Sequence, residues 1–188
     1  MSVVLAYANE DTAIIAGDGR VIDANNNIYS EQYEKVKKIN DRVIIGYAGE
    51  VTPCECISLL LTKEENRDTV SGLYVEDIVN FIEMYYKTMP PETKVGFLIC
   101  GIAKNSKICA ASTMLGQKSE IIFPSNKEPF YCGLYPGDIP EDMDVFKKYL
   151  LTNKEPLDAM ASTISFCAGL SLSVNRNMTY YCVQSVRG

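Results

Sequence analysis

The chain has 188 residues, 47% of them apolar or aromatic, which is enough for one sizeable core and a single domain over 1–188. A formal net charge of −6 and a pI near 4.8 exclude the basic stripe that a nucleic-acid binder needs. Histidine is absent, which removes every Ser–His and Cys–His mechanism and most catalytic metal sites. A hydrolase built on this chain must take its base from a lysine, a carboxylate or a terminal amine.

No apolar run approaches the roughly 20 residues of a membrane span. Val3 to Ala8 is short, lacks a basic flank and runs into Asn9, Glu10 and Asp11, so a soluble cytoplasmic chain without a secretory signal is expected. The seven cysteines (Cys54, Cys56, Cys100, Cys109, Cys132, Cys167 and Cys182) lie mostly inside apolar runs and read as reduced core thiols. Cys54 and Cys56 make a lone C-x-C with neither a second pair nor a histidine, so no metal or cofactor is expected.

Ser2–Ala8 and Thr12–Asp18 read as a β-hairpin, 19–30 as a polar loop, and Gln32–Ile39 and Arg42–Ala48 as strands joined at Asn40-Asp41. A helix follows, with Thr52 as N-cap, Pro53 as its first residue and Glu55 closing a capping box, running to about Leu60. Lys63 to Asp68 is predicted to be a solvated connection. Val75, Ile78, Val79, Ile82, Tyr85 and Tyr86 recur at helical spacing and predict a second helix over 73–88.

Strands return at Val95–Ile102 and Lys107–Thr113, then at Ser119–Phe123 and Pro129–Cys132. Asp138 and Glu141 are placed to cap a third helix that buries Met143, Phe146, Tyr149 and Leu150. A fourth starts near Pro156, and Met178–Gln184 is a last strand. Hairpins alternating with helix pairs predict an α+β fold with two stacked antiparallel sheets, each covered on its outer face by helices.

The chemistry points to the N-terminal end. A serine whose own α-amine is free carries a built-in general base, because that amine titrates near roughly 7.7–8. Ser2 qualifies once Met1 is removed. A lysine beside the hydroxyl favours the alkoxide, and an aspartate beside the lysine orients it; Lys35 and Asp18 are the candidates. Gly49, just ahead of a helix, can offer its N–H to an oxyanion.

Ser2, Ala16-Gly17-Asp18-Gly19-Arg20, Lys35-Val36 and Gly46-Tyr47-Ala48-Gly49 together resemble the β-subunits of proteasomes and the related bacterial ATP-dependent peptidase. The resemblance implies a four-layer αββα sandwich of the N-terminal-nucleophile (Ntn) hydrolase type. It implies Ser2, Asp18, Lys35 and Gly49 as the catalytic set and Arg20 as its support. It also implies Tyr47 and Val51 as residues that line a pocket for an apolar substrate side chain.

The sequence departs from the family pattern in three places. Serine replaces the usual threonine. Gly133-Leu134-Tyr135 stands where the family has Gly-Ser-Gly. The late Arg-Asp-x-x-Ser-Gly-Gly segment becomes 170–176, with Ser171 and Ser173 as stand-ins for a lost carboxylate near the amine.

The start of the chain is also similar to archaeal connectases, proteasome-like protein ligases that pass an acyl group to an amine instead of water. The expected function is cleavage of peptide or amide bonds through a Ser2 acyl-enzyme. The alternatives are a connectase-like transpeptidase, a small-molecule amidohydrolase, and a catalytically silent structural subunit. The resemblance further implies a homo-oligomer acting on peptide or protein substrates, with an ATP-driven partner an open question and neither nucleic acid nor membrane involved.

Overall fold

The structure, a computed structural model, describes residues 2–139, 144–153 and 155–185. Strand β2 (Thr12–Asp18) is central to the first sheet, flanked by β1 (Val4–Ala8) and β11 (Met178–Gln184), with β10 (Phe130–Leu134) beyond β1. The second sheet runs β5 (Val36–Lys38), β6 (Val43–Gly49), β7 (Val95–Ile102), β8 (Ile108–Met114) and β9 (Glu120–Ile122). Every pairing in both is antiparallel.

The side-chain alternation of the strands builds the layers. On β6, Val43, Ile45 and Tyr47 face α1 (Val51–Thr62) and α3 (Val75–Tyr86), while Ile44 and Ala48 face the opposite sheet. Val4, Ala6, Ile15, Leu98 and Cys100 complete that apolar layer between the sheets. Val3, Leu5 and Ala16 point the other way, onto α4 (Val145–Thr152) and α5 (Pro156–Leu170) through Phe146, Met160 and Ile164. Each fully buried Leu, Ile or Phe contributes about 1.5–3 kcal/mol. The result is the expected αββα sandwich.

Several local expectations are corrected. The polar stretch 19–30 contains a hairpin, β3 (Val21–Ile22) with β4 (Ile28–Ser30), whose turn is organised by the Asp23 carboxylate accepting from the N–H groups of Asn25 and Asn27. The strand expected over Gln32–Ile39 forms a ladder only at Val36–Lys38, because the residues ahead of it turn towards β2, where the Tyr33 N–H reaches the Gly19 carbonyl at 2.8 Å.

Helix α1 begins at Val51, so Thr52, Pro53 and Glu55 lie inside it and form no cap. Glu50 precedes the helix, and its carboxylate accepts the Lys94 N–H at 2.9 Å, tying the helix entry to β7. The charged 63–68 stretch contains a 3₁₀ turn, Glu64–Asn66, and leads into α2 (Arg67–Ser71). Asp144 caps α4 by accepting the Lys147 N–H at 3.1 Å. Asp138 does not take that role, and Glu141 and Met143 lie outside the described residues.

Candidate active site

Strands β1 and β2 pair with Val4 opposite Gly17, and the Asp18 N–H donates to the Val3 carbonyl at 3.1 Å. This register sets Ser2 next to the Asp18-Gly19 turn. Ser2 is 8% exposed, so its side chain sits in a recess and not on an open surface.

Asp18 is 1% exposed and Lys35 2%. One carboxylate oxygen of Asp18, Oδ1, accepts both the Val3 N–H at 2.9 Å and Lys35 Nζ at 2.8 Å. The lysine ammonium is therefore two hydrogen bonds from the peptide that links Ser2 to Val3. Lys35 also donates to the Arg20 carbonyl. Asp18 Oδ2 takes the Arg20 N–H at 2.8 Å and the Asn175 N–H at 3.4 Å. Burial pulls the Lys35 pKa below its ordinary value, against the opposing pull of Asp18.

Small residues make this approach possible. A Cβ on Gly17 would stand 3.1 Å from the Val36 side chain and 3.6 Å from Lys35 Cβ, so glycine lets β2 lie close to β5.

Gly49 closes β6 with φ +126°, and a Cβ there would fall 2.1 Å from the Lys94 carbonyl oxygen. N–H groups alternate along a strand: that of Tyr47 goes to the Lys35 carbonyl on the β5 side, and that of Glu50 to Lys94 on the β7 side. The Gly49 N–H consequently points to the β5 side, two residues past Lys35. Val51 opens α1 and is half-buried.

Tyr47 faces inward from β6. It is 3% exposed, its ring packs on Phe97 at 5.7 Å, and its hydroxyl donates to the Glu34 carbonyl at 3.2 Å. It packs in the core under the helices. Ser171 and Ser173 are buried and hydrogen-bonded to each other at 2.8 Å. The residue of that segment that touches Asp18 is Asn175.

Asn175 and Glu31 were not anticipated from the sequence. The Asn175 side-chain oxygen accepts the Gly19 N–H at 3.0 Å and the Asn177 N–H at 3.2 Å. Its amide nitrogen donates to the Glu31 carbonyl at 2.8 Å and to the Glu31 carboxylate. Glu31 in turn grips the Arg20 guanidinium, with Nη2 to Oε1 at 2.9 Å and Nε to Oε2 at 3.2 Å. The remaining Arg20 nitrogen donates to the Leu172 carbonyl at 2.8 Å. No local pattern marks Asn175 as part of the site, because its partners Glu31 and Asp18 lie 144 and 157 positions away.

A pocket of about 470 Å³ lies at the β5–β6 turn, against Lys38, Arg42 and Arg67, and contains none of the site residues. Among the described residues, no cluster of three or more His, Cys, Asp or Glu is placed to hold a metal ion, and no helix is long and apolar enough to cross a membrane.

Two antiparallel sheets between helix layers, with a serine, a buried aspartate and a buried lysine gathered at the N-terminal strand, define the proteasome-type class of Ntn hydrolases. More narrowly, the chain belongs to the proteasome subunit family, whose sequence model matches residues 2–120. It is 21% identical over 179 residues to the ATP-dependent protease subunit HslV of Caldicellulosiruptor saccharolyticus, covering 95% of this chain and 96% of that one. With the HslV of Campylobacter curvus it shares 28% identity over 87 residues, 46% of this chain and 47% of the other. The crystal structure of HslV from Trypanosoma brucei superposes with a TM-score of 0.64 at 13% identity, covering 97% of this chain and 99% of its own. That likeness is one of fold.

Proposed function

We propose that this chain is a peptidase that cleaves peptide or amide bonds through an acyl-enzyme on Ser2, with Met1 removed in the mature protein. The observation that supports the reading is the single Asp18 oxygen shared by the Val3 N–H and Lys35 Nζ, which links a buried cation to the peptide that follows Ser2. Met1 itself lies outside the described residues. Ser2 Oγ attacks the acyl carbon and its proton passes to the α-amine, while the Lys35 charge favours the oxygen anion. The Gly49 N–H receives the oxyanion. The protonated amine then gives its proton to the departing amine, leaving the Ser2 ester. Water attacks that ester, the α-amine takes the water proton, and the acid leaves as Ser2 is restored. Oligomeric assembly is part of the proposal, supported by relatives that are named as subunits of an ATP-dependent protease.

Intact-mass spectra of untagged protein before and after exposure to a β-lactone test this. The expected result is loss of the Met1 mass and a single adduct that maps to Ser2 and disappears in Ser2→Ala. Retained Met1 with no adduct would sink the catalytic reading and leave the structural-subunit alternative standing. An adduct that persists in Ser2→Ala would remove Ser2 from the role.

A further inference from the structure

We propose that Asn175 and Glu31 form a clamp that positions the Lys35 amine, doing through an amide and a carboxylate what no residue in direct contact with Lys35 does alone. The inference rests on the reading of Lys35 as the cation beside Ser2. Lys35 Nζ has two partners, Asp18 Oδ1 and the Arg20 carbonyl, and both belong to one short turn, Asp18-Gly19-Arg20. Whatever fixes that turn fixes the ammonium.

Asn175 holds the turn at its first two residues: its N–H reaches Asp18 Oδ2 and its side-chain oxygen takes the Gly19 N–H. Glu31 holds it at the third, through two bonds to the Arg20 guanidinium. The two holders are joined by the Asn175 amide nitrogen, which donates to the Glu31 backbone and carboxylate. Gly19 has no room for another solution, since a Cβ there would stand 2.7 Å from the Glu31 carbonyl oxygen and 3.3 Å from Asn177. Asn177 adds a second donor to the same Glu31 carbonyl at 2.9 Å.

The chemistry of the pair is directional. An asparagine offers one acceptor, used by Gly19 and Asn177, and one donor group, used by Glu31. An aspartate at 175 would keep the acceptor and set a second carboxylate against Glu31. The charged groups that face Lys35 are Asp18 and Arg20, so moving the turn alters both the favourable and the unfavourable neighbour of the ammonium.

The test uses the full chain, a β-lactone as acylating probe, and Asn175→Ala, Asn175→Asp, Glu31→Gln and the double variant Asn175→Asp/Glu31→Gln. Asn175→Ala is expected to lower the limiting acylation rate about 10–100-fold at unchanged half-saturation, since small misplacements of a reacting group cost on that order. Glu31→Gln lowers it less. Asn175→Asp is the worst single change, and adding Glu31→Gln recovers part of the loss by restoring a donor opposite the new carboxylate.

A second readout is the titration midpoint of the Lys35 side chain in ¹³C-lysine NMR, expected to move down in Asn175→Ala and Glu31→Gln as the ammonium loses its aligned partners. Wild-type rates and an unmoved midpoint in both variants would overturn the clamp. A rate that falls only with the folded fraction, at an unmoved midpoint, would overturn it equally. If Asn175→Ala does not fold, Glu31→Gln, a part-exposed isosteric change, decides alone. A wild-type chain that forms no adduct sinks the Ser2 reading instead, and the Lys35 midpoint still decides the clamp.

Discussion

The Asp18 carboxylate takes four donors on two oxygens. Removing its charge strands a buried ammonium, and breaking one side of such a pair costs about 3–5 kcal/mol. Asp18→Asn is expected to lower the urea midpoint accordingly while leaving the slope of the transition unchanged. The pH dependence has a definite sign. Because burial lowers the Lys35 pKa in the folded chain, the unfolded chain binds more protons between that lowered value and the ordinary 10.5. The penalty for Lys35 is thus fully present below that lowered value and relieved as pH rises through it towards 10.5. It should be larger in Asp18→Asn, and urea melts at pH 7 and pH 10 measure the difference.

At the scale of elements, backbone geometry separates glycines that look alike in sequence. Gly49→Ala forces a side chain into a left-handed residue and onto the Lys94 carbonyl, and is expected to cost at least about 1–3 kcal/mol. Gly72, at the end of α2 with φ −88° and nothing within 4 Å of its added Cβ, is the control: Gly72→Ala should be neutral or stabilising by about 0.4–1 kcal/mol. Paired thermal melts check both.

The same contrast shows what was legible in the sequence. Val95–Ile102 and Met178–Gln184 were readable to the residue, because apolar runs of strand length end there at turn residues. The ladder beside Lys35 is shorter than its residues suggest, because the segment ahead of it is diverted towards β2 by partners that no nearby residue announces. Ser2, Asp18 and Lys35 were accessible from local motifs, whereas Asn175 and Glu31 acquire meaning only when distant segments meet. A strand position beside a site can face either layer, and alternation sends the Tyr47 ring under the helices.

The whole molecule sorts its seven thiols by depth. Cys56 and Cys182 are exposed, Cys132 is half-buried, and Cys54, Cys100, Cys109 and Cys167 are buried, with burial pushing the Cys54 thiol up to about 12. A thiol reagent is expected to label the two exposed sites quickly in native protein, Cys132 slowly, and the other four only in denaturant. Fast native labelling of Cys100 or Cys109 would contradict the packing between the sheets and against the helices.

The contact between Asn175 and Asp18 has a consequence for the order in which the protein is made. Strand β2 lies between β1, its neighbour in the chain, and β11, the last strand, so the carboxylate that holds Lys35 is completed by residues translated about 157 positions later. A nascent chain on the ribosome carries Ser2, Asp18 and Lys35 long before it carries the segment that locks them together. On the proposed mechanism, the lysine beside the nucleophile is locked in place only after the segment around Asn175 has been made and has folded onto the Asp18 turn.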